Sequence, residues 1–490
     1  MATRLVIEAQ MDSLTVDEPL YIEGGWCALT SRVIDLDPTN PPIYKLISAT
    51  GVLLLARPTA VGCKNARTIF TGDPGSIRRL ALAARLPIVG IALLLAVVVF
   101  LWTRRLFGYV AALLALGIVS LEPTLLAHAH LVTGDLTLAF GLTGCLAAHW
   151  YWSHTRSARW LVLAGISLGW ALLSRVSALE FLPLLAIAAL ALAEGPWPVR
   201  IRLALGSTLV VAATAWAAVC ITYLPFSTAF GRFQWGAPLS WVAPPQWFDS
   251  LTYQIHHVQV GHPAYLNGQL AATHGFWSYF LEAFALKSTL GLLLLMLGAA
   301  VWTVWLRDRV VMLYLWLPIV TLVLAATIGG IDIGVRYLLP VYPLAAVAAG
   351  RMISDLGTSS RLPQAAAAIA FVALALSSVA HAPDDIGYFN ELAGNNPAAY
   401  LSDSNLDWGQ DAWRLKTWWE ANGRPPMATN VFGGLPLDAY GISSVDPQSG
   451  EVARYLAISV DKVTSSARWL QHVEPAVRIG TSIWIYRIAG

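Results

Sequence analysis

The stretch Leu82–Trp102, LAARLPIVGIALLLAVVVFLW, decides the fold class. It is mostly apolar and long enough to cross a hydrocarbon layer, which takes about 20 residues of helix. Segments 107–126, 131–152, 159–175, 177–194, 203–224, 279–304, 311–329, 337–352 and 364–381 read the same way, for ten candidate spans. Several are separated by only a few residues, the spacing of helical hairpins. Composition agrees: 57% of the 490 residues are hydrophobic and 12% are charged, whereas soluble domains carry about 25% charge. A chain this apolar needs a bilayer as solvent. Its 21 Trp suit membrane interfaces, where the indole meets both an apolar and a wet environment. A net charge of +2 sets up no field for nucleic acid, which is excluded as a partner.

Basic residues in short loops orient the spans. Arg104–Arg105, Arg156 with Arg159, Arg200 with Arg202, Arg307 with Arg309, and Arg351 with Arg361 mark every second connection. These go to the cytoplasm. The long loop 225–278 carries only Arg232 and goes outside with both ends of the chain. Arg78 and Arg79 oppose this, but long segments obey the charge rule poorly. The expected organisation is an outer-face N-terminal segment, 1–81, with an interfacial helix at 41–56. A transmembrane bundle, 82–381, follows, and then an outer-face α/β domain, 382–490. Alternation at Tyr455–Val460 and Ser482–Arg487 predicts strands in that last part. The expected fold class is therefore mainly α: a polytopic membrane helix bundle with a small C-terminal α/β domain. An outward N-terminal segment with no signal peptide has no route across the membrane, so an upstream helix is expected. Among the cysteines, Cys27 and Cys63 could pair in an oxidising space, although connectivity cannot be read from sequence.

Ionisable groups at membrane depth are costly and usually functional. Asp17–Glu18 is an adjacent carboxylate pair, a pattern that is often merely solvated. Asp135 opens a span near Glu122, His128 and His130, and helix capping would also account for it. The two histidines are two residues apart, so they do not share a helical face for a metal. Lys45, Arg175, Lys287 and Arg336 fall at one depth and together suit an anionic headgroup, phosphate especially. Singly, each reads as a snorkelling side chain. Asp403–Asp411, DSNLDWGQD, mimics the start of a calcium loop, but Gly409 comes one place late and Arg414 stands where a bidentate Glu belongs. Turn chemistry is the expected role there.

Taken in order, SLTVDEPLYIEGG, NPPIYKL, EPTLLAHAHLVTGD, GHPAYLNGQ, YFLEAFALKS, IGVRYLLPVYP, YFNELAG and DSNLDWGQD resemble the bacterial phospholipid-carrier-dependent glycosyltransferases of the GT-C superfamily. These are related to protein O-mannosyltransferases and lipid A aminoarabinose transferases. The resemblance runs through nearly the whole chain. It implies a GT-C-like glycosyltransferase of hexosyltransferase type in the inner membrane, with its active site on the periplasmic face. The donor would be a sugar on a polyprenyl phosphate, and the acceptor a protein, lipid or glycan. In the acidic pair, Asp17 would be the general base beside Glu18. Asp135 would shape the acceptor or metal site, with His128, His130 and Glu122 around it. Lys45 and Arg336 would contact the carrier phosphate, joined by Lys287 and Arg175 at the same depth. No cofactor is certain, and a divalent metal stays an open alternative because the relatives differ on it. Where relatives often have His after the acidic pair, this chain has Tyr21. A transporter or flippase, or a non-catalytic carrier-binding subunit, would share the spans and charges. Polar residues gathered at one face with no visible half-repeat favour the enzyme.

Overall fold

Asp73 starts the first long helix, Pro74–Phe107, by accepting a hydrogen bond from the Ser76 amide. The helix ends at Gly108, whose φ of +91° a side chain would strain. The computed structural model describes residues 1–34, 36–58, 63, 69–226, 244–356, 361–445 and 452–488. Arg232 lies outside the described residues. Among those described, four helices are long and apolar enough to cross a membrane: Pro74–Phe107, Trp197–Tyr223, Arg309–Gly329 and Arg361–His381. The protein is a multi-pass membrane helix bundle. The outward faces of these helices are apolar: Leu209 is 70% exposed, Ile328 81% and Leu362 81%. Such a continuous apolar surface requires lipid to cover it.

Ten full-length spans were expected, and the remaining segments take other forms. Segment 279–304 is Tyr279–Lys287 and Leu290–Leu306, bent by 117°. Ser288 is extended at the break, and the Thr289 hydroxyl caps the second helix on the Leu292 amide. The pair 159–175 and 177–194 is interrupted at Arg175, whose backbone is extended between Ala158–Ser174 and Val176–Glu180. Gly134–Thr155 is buried nearly all round and packs along Ala158–Ser174 at the centre of the bundle. A helix apolar on every face belongs in the middle of such a bundle.

Outside the bundle the chain is shorter-ranged. Residues 41–56 form the helix Ile43–Gly51 continued by Val52–Ala56, against Glu18–Ser31. Gly25 lets the two approach, since a Cβ there would lie 2.0 Å from the Lys45 carbonyl oxygen. A disulfide joins Cys27 to Cys63 with Cα atoms 5.6 Å apart. An Asn267–Gly268 turn closes a hairpin of β1 (Ala264–Leu266) and β2 (Gln269–Ala271). A second sheet combines β3 (Met427–Asn430), β4 (Tyr455–Ser459), β5 (Val477–Ile479) and β6 (Ile483–Arg487) in the order β3-β4-β6-β5. Its β3–β4 pair is parallel and the others are antiparallel. The two expected strands are β4 and β6, and with helix Ala412–Ala421 they make the C-terminal part α/β.

Candidate functional site

Asp17 is the residue before the helix Glu18–Ser31 and is 31% exposed at its side chain. Its carboxylate accepts from the Arg336 guanidinium at 3.3 Å. Arg336 lies in the short turn Val335–Leu338 and stacks 4.3 Å from the Trp408 ring centre. The neighbouring Tyr337 ring lies 5.7 Å from Arg336 and 4.9 Å from Arg175. Arg175 in turn pairs with Asp135 at 2.6 Å, in the first turn of Gly134–Thr155. Two acid–arginine pairs from four distant parts of the chain thus share one tyrosine. The half-buried Tyr21 joins them, in the fields of Asp17, Asp37, Arg336 and Arg175. Loss of water and the Asp17 charge push its phenol well above the ordinary value, so it is a neutral donor. Its ring stands edge-on to Tyr44 at 5.1 Å.

Beside these groups is a cavity of about 180 Å³. Its polar lining includes Asn40, Asp135, Arg175, Glu180, Gln254 and Tyr337. Leu322, Ala325 and Ala326, on the apolar helix Arg309–Gly329, form the opposite character of wall. A slot with a cation at one part and a lipid-facing helix at another suits a ligand with a charged head and an apolar tail.

The other expected site residues make further contacts of their own, with Lys45 5.8 Å from the Tyr21 ring and His128 in the fields of Asp135 and Arg336. Lys45 is buried against Asp37, 2.6 Å from its carboxylate, and donates to the Asp37 and Asn40 carbonyls at 2.9 and 2.7 Å. Burial holds its ammonium below the ordinary value, partly offset by Asp37. Lys287 donates to the Ile386 carbonyl at 2.9 Å and to the Asn405 carbonyl, with Phe389 4.4 Å away. Glu18 is fully buried, and both its oxygens take Arg85 together with the Thr15 and Val132 amides. Burial pushes its carboxyl up, but the Arg85 charge and these donors outweigh that and hold it below the usual range. Glu122 caps Thr289 through its amide and hydroxyl. His130 bonds Asp12 at 3.1 Å, and His128 packs edge-on to Trp408 at 5.7 Å. Among the described residues no group of three His, Cys, Asp or Glu is arranged to hold a metal ion.

Sequence reasoning passed over Arg85, Asp37, Tyr337 and Trp408. Arg85 carried a usable signal, being a charge inside the first span. Tyr337 adjoins a candidate, and Asp37 is an acid close to Lys45 in sequence. Trp408 lies in the DSNLDWGQD stretch that the resemblance includes, but nothing in that stretch marks a ring that packs on an arginine.

Residues 37–237 match the family model described as dolichyl-phosphate-mannose-protein mannosyltransferase. No curated protein matches the sequence. Among solved structures, ArnT from Cupriavidus metallidurans bound to undecaprenyl phosphate is similar at 14% identity and TM-score 0.49, over 100% of this chain and 96% of that one. The same protein in the apo state has 14% identity and TM-score 0.47, over 99% and 95%. The Archaeoglobus fulgidus oligosaccharyltransferase in the apo form has 14% identity and TM-score 0.46, over 92% of this chain and 60% of that one. The match over residues 37–237 relates the chain to the dolichyl-phosphate-mannose-protein mannosyltransferases, and so to the protein O-mannosyltransferase relatives that its motifs resemble.

Proposed function

We propose that this protein transfers a sugar from a polyprenyl-phosphate carrier to an acceptor at the outer, periplasmic face of the inner membrane. The observation that carries the reading is the cavity in which Arg175, Asp135 and Tyr337 meet the apolar helix Arg309–Gly329. A lipid phosphate needs both parts: cations for the head, and a wall continuous with lipid for the chain. The family match over residues 37–237 supports the same donor class.

In this reading Asp17 takes the acceptor's proton as the acceptor atom bonds to the anomeric carbon. The bond from that carbon to the phosphate oxygen breaks, and its electron pair leaves with the phosphate. Arg175 and Arg336 neutralise the departing charge. One displacement inverts the anomeric centre. Asp17 suits the base because, among the described residues, its carboxylate has one long contact, and it retains access to solvent. Asp135 fits a positioning task, holding Arg175 in place.

The test uses membranes carrying the chain, supplied with radiolabelled polyprenyl-phosphate mannose. Wild type is expected to transfer label, and Asp17→Asn to lose roughly 100-fold or more of the rate. Equal transfer by both would remove Asp17 as base. Carrier binding without any transfer would point instead to a carrier-binding subunit.

A further inference from the structure

The loop Asp403–Asp411 touches both halves of the candidate site. On one side it is zipped to the segment before Asp17. The Ser13 amide donates to the Gln410 carbonyl at 2.9 Å, and the Val16 amide to the Trp408 carbonyl at 3.1 Å. The Ser13 hydroxyl donates to the Gly409 carbonyl at 2.8 Å and accepts from the Ala412 amide at 2.8 Å. On the other side the loop holds the turn that carries Arg336. The Val335 amide donates to the Asn405 side-chain carbonyl at 2.9 Å, and the Ser404 hydroxyl donates to the Ile333 carbonyl. Between these two sets of contacts, the Trp408 ring lies 4.3 Å from the Arg336 guanidinium.

The loop itself is pinned. Lys287 donates to the Asn405 carbonyl, and the Asn405 amide donates to the Tyr279 hydroxyl at 2.8 Å. Asp407 accepts from the Gly409 amide at 3.1 Å. Gly409 has φ +88°, and a Cβ there would meet the Gly433 Cα at 2.5 Å. The segment is thus a rigid piece with defined contacts on two faces.

We propose that Asp403–Asp411 is the template that sets the Asp17–Arg336 spacing, with Trp408 and Asn405 as positioning residues. Trp408 acts twice: its carbonyl fixes the backbone one residue before Asp17, and its ring fixes the Arg336 guanidinium through a cation–π contact. Asn405 fixes the amide one residue before Arg336. Lys287 belongs to this template, its ammonium spent on the loop's backbone. The consequence for turnover rests on the proposed glycosyl transfer, whereas the template itself is a statement about geometry. Displacing reactive groups by about 1 Å costs on the order of 100-fold in rate.

The experiment compares full-length wild type, Trp408→Ala and Trp408→Phe by two readouts. The first is hydrogen exchange in peptides covering 12–18 and 333–338, with 134–155 as the global reference. The second is label transfer from polyprenyl-phosphate mannose, split into kcat and KM. Trp408→Ala removes the ring that contacts Arg336 and belongs to the apolar cluster against which Val16 packs, so it is expected to speed exchange in both peptides and to lower kcat roughly 10- to 100-fold with little change in donor KM. Trp408→Phe, which keeps an aromatic face, is expected to restore most of both. Should Trp408→Ala lose protection at 134–155 as well, Trp408→Leu repeats the test with more of the volume kept. Unchanged exchange in either peptide, or unchanged kcat, overturns the template. A wild-type chain that transfers no label sinks the glycosyl-transfer reading, and the exchange data still decide the template.

Discussion

Glu18 and Asp17 each meet an arginine, but the two pairs are built differently. Glu18 meets Arg85 with both side chains at 0% exposure, and an Nε–Oε1 contact of 2.8 Å. The same guanidinium donates to the Ala9, Asp12 and Ser13 carbonyls. Every donor and acceptor at that junction is occupied, so the pair behaves as a clasp between the first long helix and the N-terminal loop. Among the described residues, Asp17 meets Arg336 through one contact of 3.3 Å and stays 31% exposed. A carboxylate with one long contact among the described residues, and with access to solvent, can accept a proton or a ligand. Saturated hydrogen bonding makes structure, and unsaturated bonding leaves chemistry open. The clasp also serves the open pair, because Arg85 grips the backbone just before Asp17.

Removing the clasp should give the largest effect. Arg85→Ala strands a buried carboxylate, and is expected to cost about 3–5 kcal/mol, read as a lowered unfolding temperature in detergent. A variant as stable as wild type would show that Glu18 does not depend on Arg85. Asp17→Asn should do the reverse, losing about 100-fold in transfer while stability moves by less than about 0.5 kcal/mol. A large drop in its unfolding temperature would place Asp17 with Glu18 as a structural acid. Arg336→Lys keeps the charge but not the planar fork, so transfer should fall by roughly tenfold with donor KM raised. Retained wild-type kinetics would mean that only the charge matters.

The smallest effect concerns Asp407, a buried acid in the same loop as Trp408 that accepts from the Gly409 and Asp461 amides. Burial pushes its carboxyl up to about 8 from an ordinary 3.8. The folded state therefore holds a proton that the unfolded chain has released. This contribution is fully present below about 3.8 and is lost as pH rises through about 8. Between those values Asp407→Asn should lose less stability with rising pH than wild type, by a few degrees in unfolding temperature. Parallel curves for the two proteins would show that Asp407 is ionised throughout.

Asp17, Asp135, Arg175 and Arg336 were legible in the sequence as charges near one depth, and the fold gathers them around Tyr337. Lys45 and Lys287 carried the same signal, yet their ammonium groups are turned to Asp37 and to backbone carbonyls. Depth along a span is a one-dimensional quantity. It does not say which way round the helix a side chain points, or what stands opposite. The bend at Ser288–Thr289 was missed for a related reason: hydropathy averages over a window and is blind to a single capping hydroxyl.

What the sequence determined by itself is local. Apolar runs of bilayer length must form helices, since a lipid-exposed backbone has no other way to satisfy its amides. Alternation at Tyr455–Val460 and Ser482–Arg487 specifies strands. Only the tertiary structure decided the partners. Glu18 reaches Arg85 across 67 residues and Asp17 reaches Arg336 across 319. Which of two adjacent carboxylates is saturated depends on which donors the packing delivers, and no local property of Asp17–Glu18 encodes that delivery.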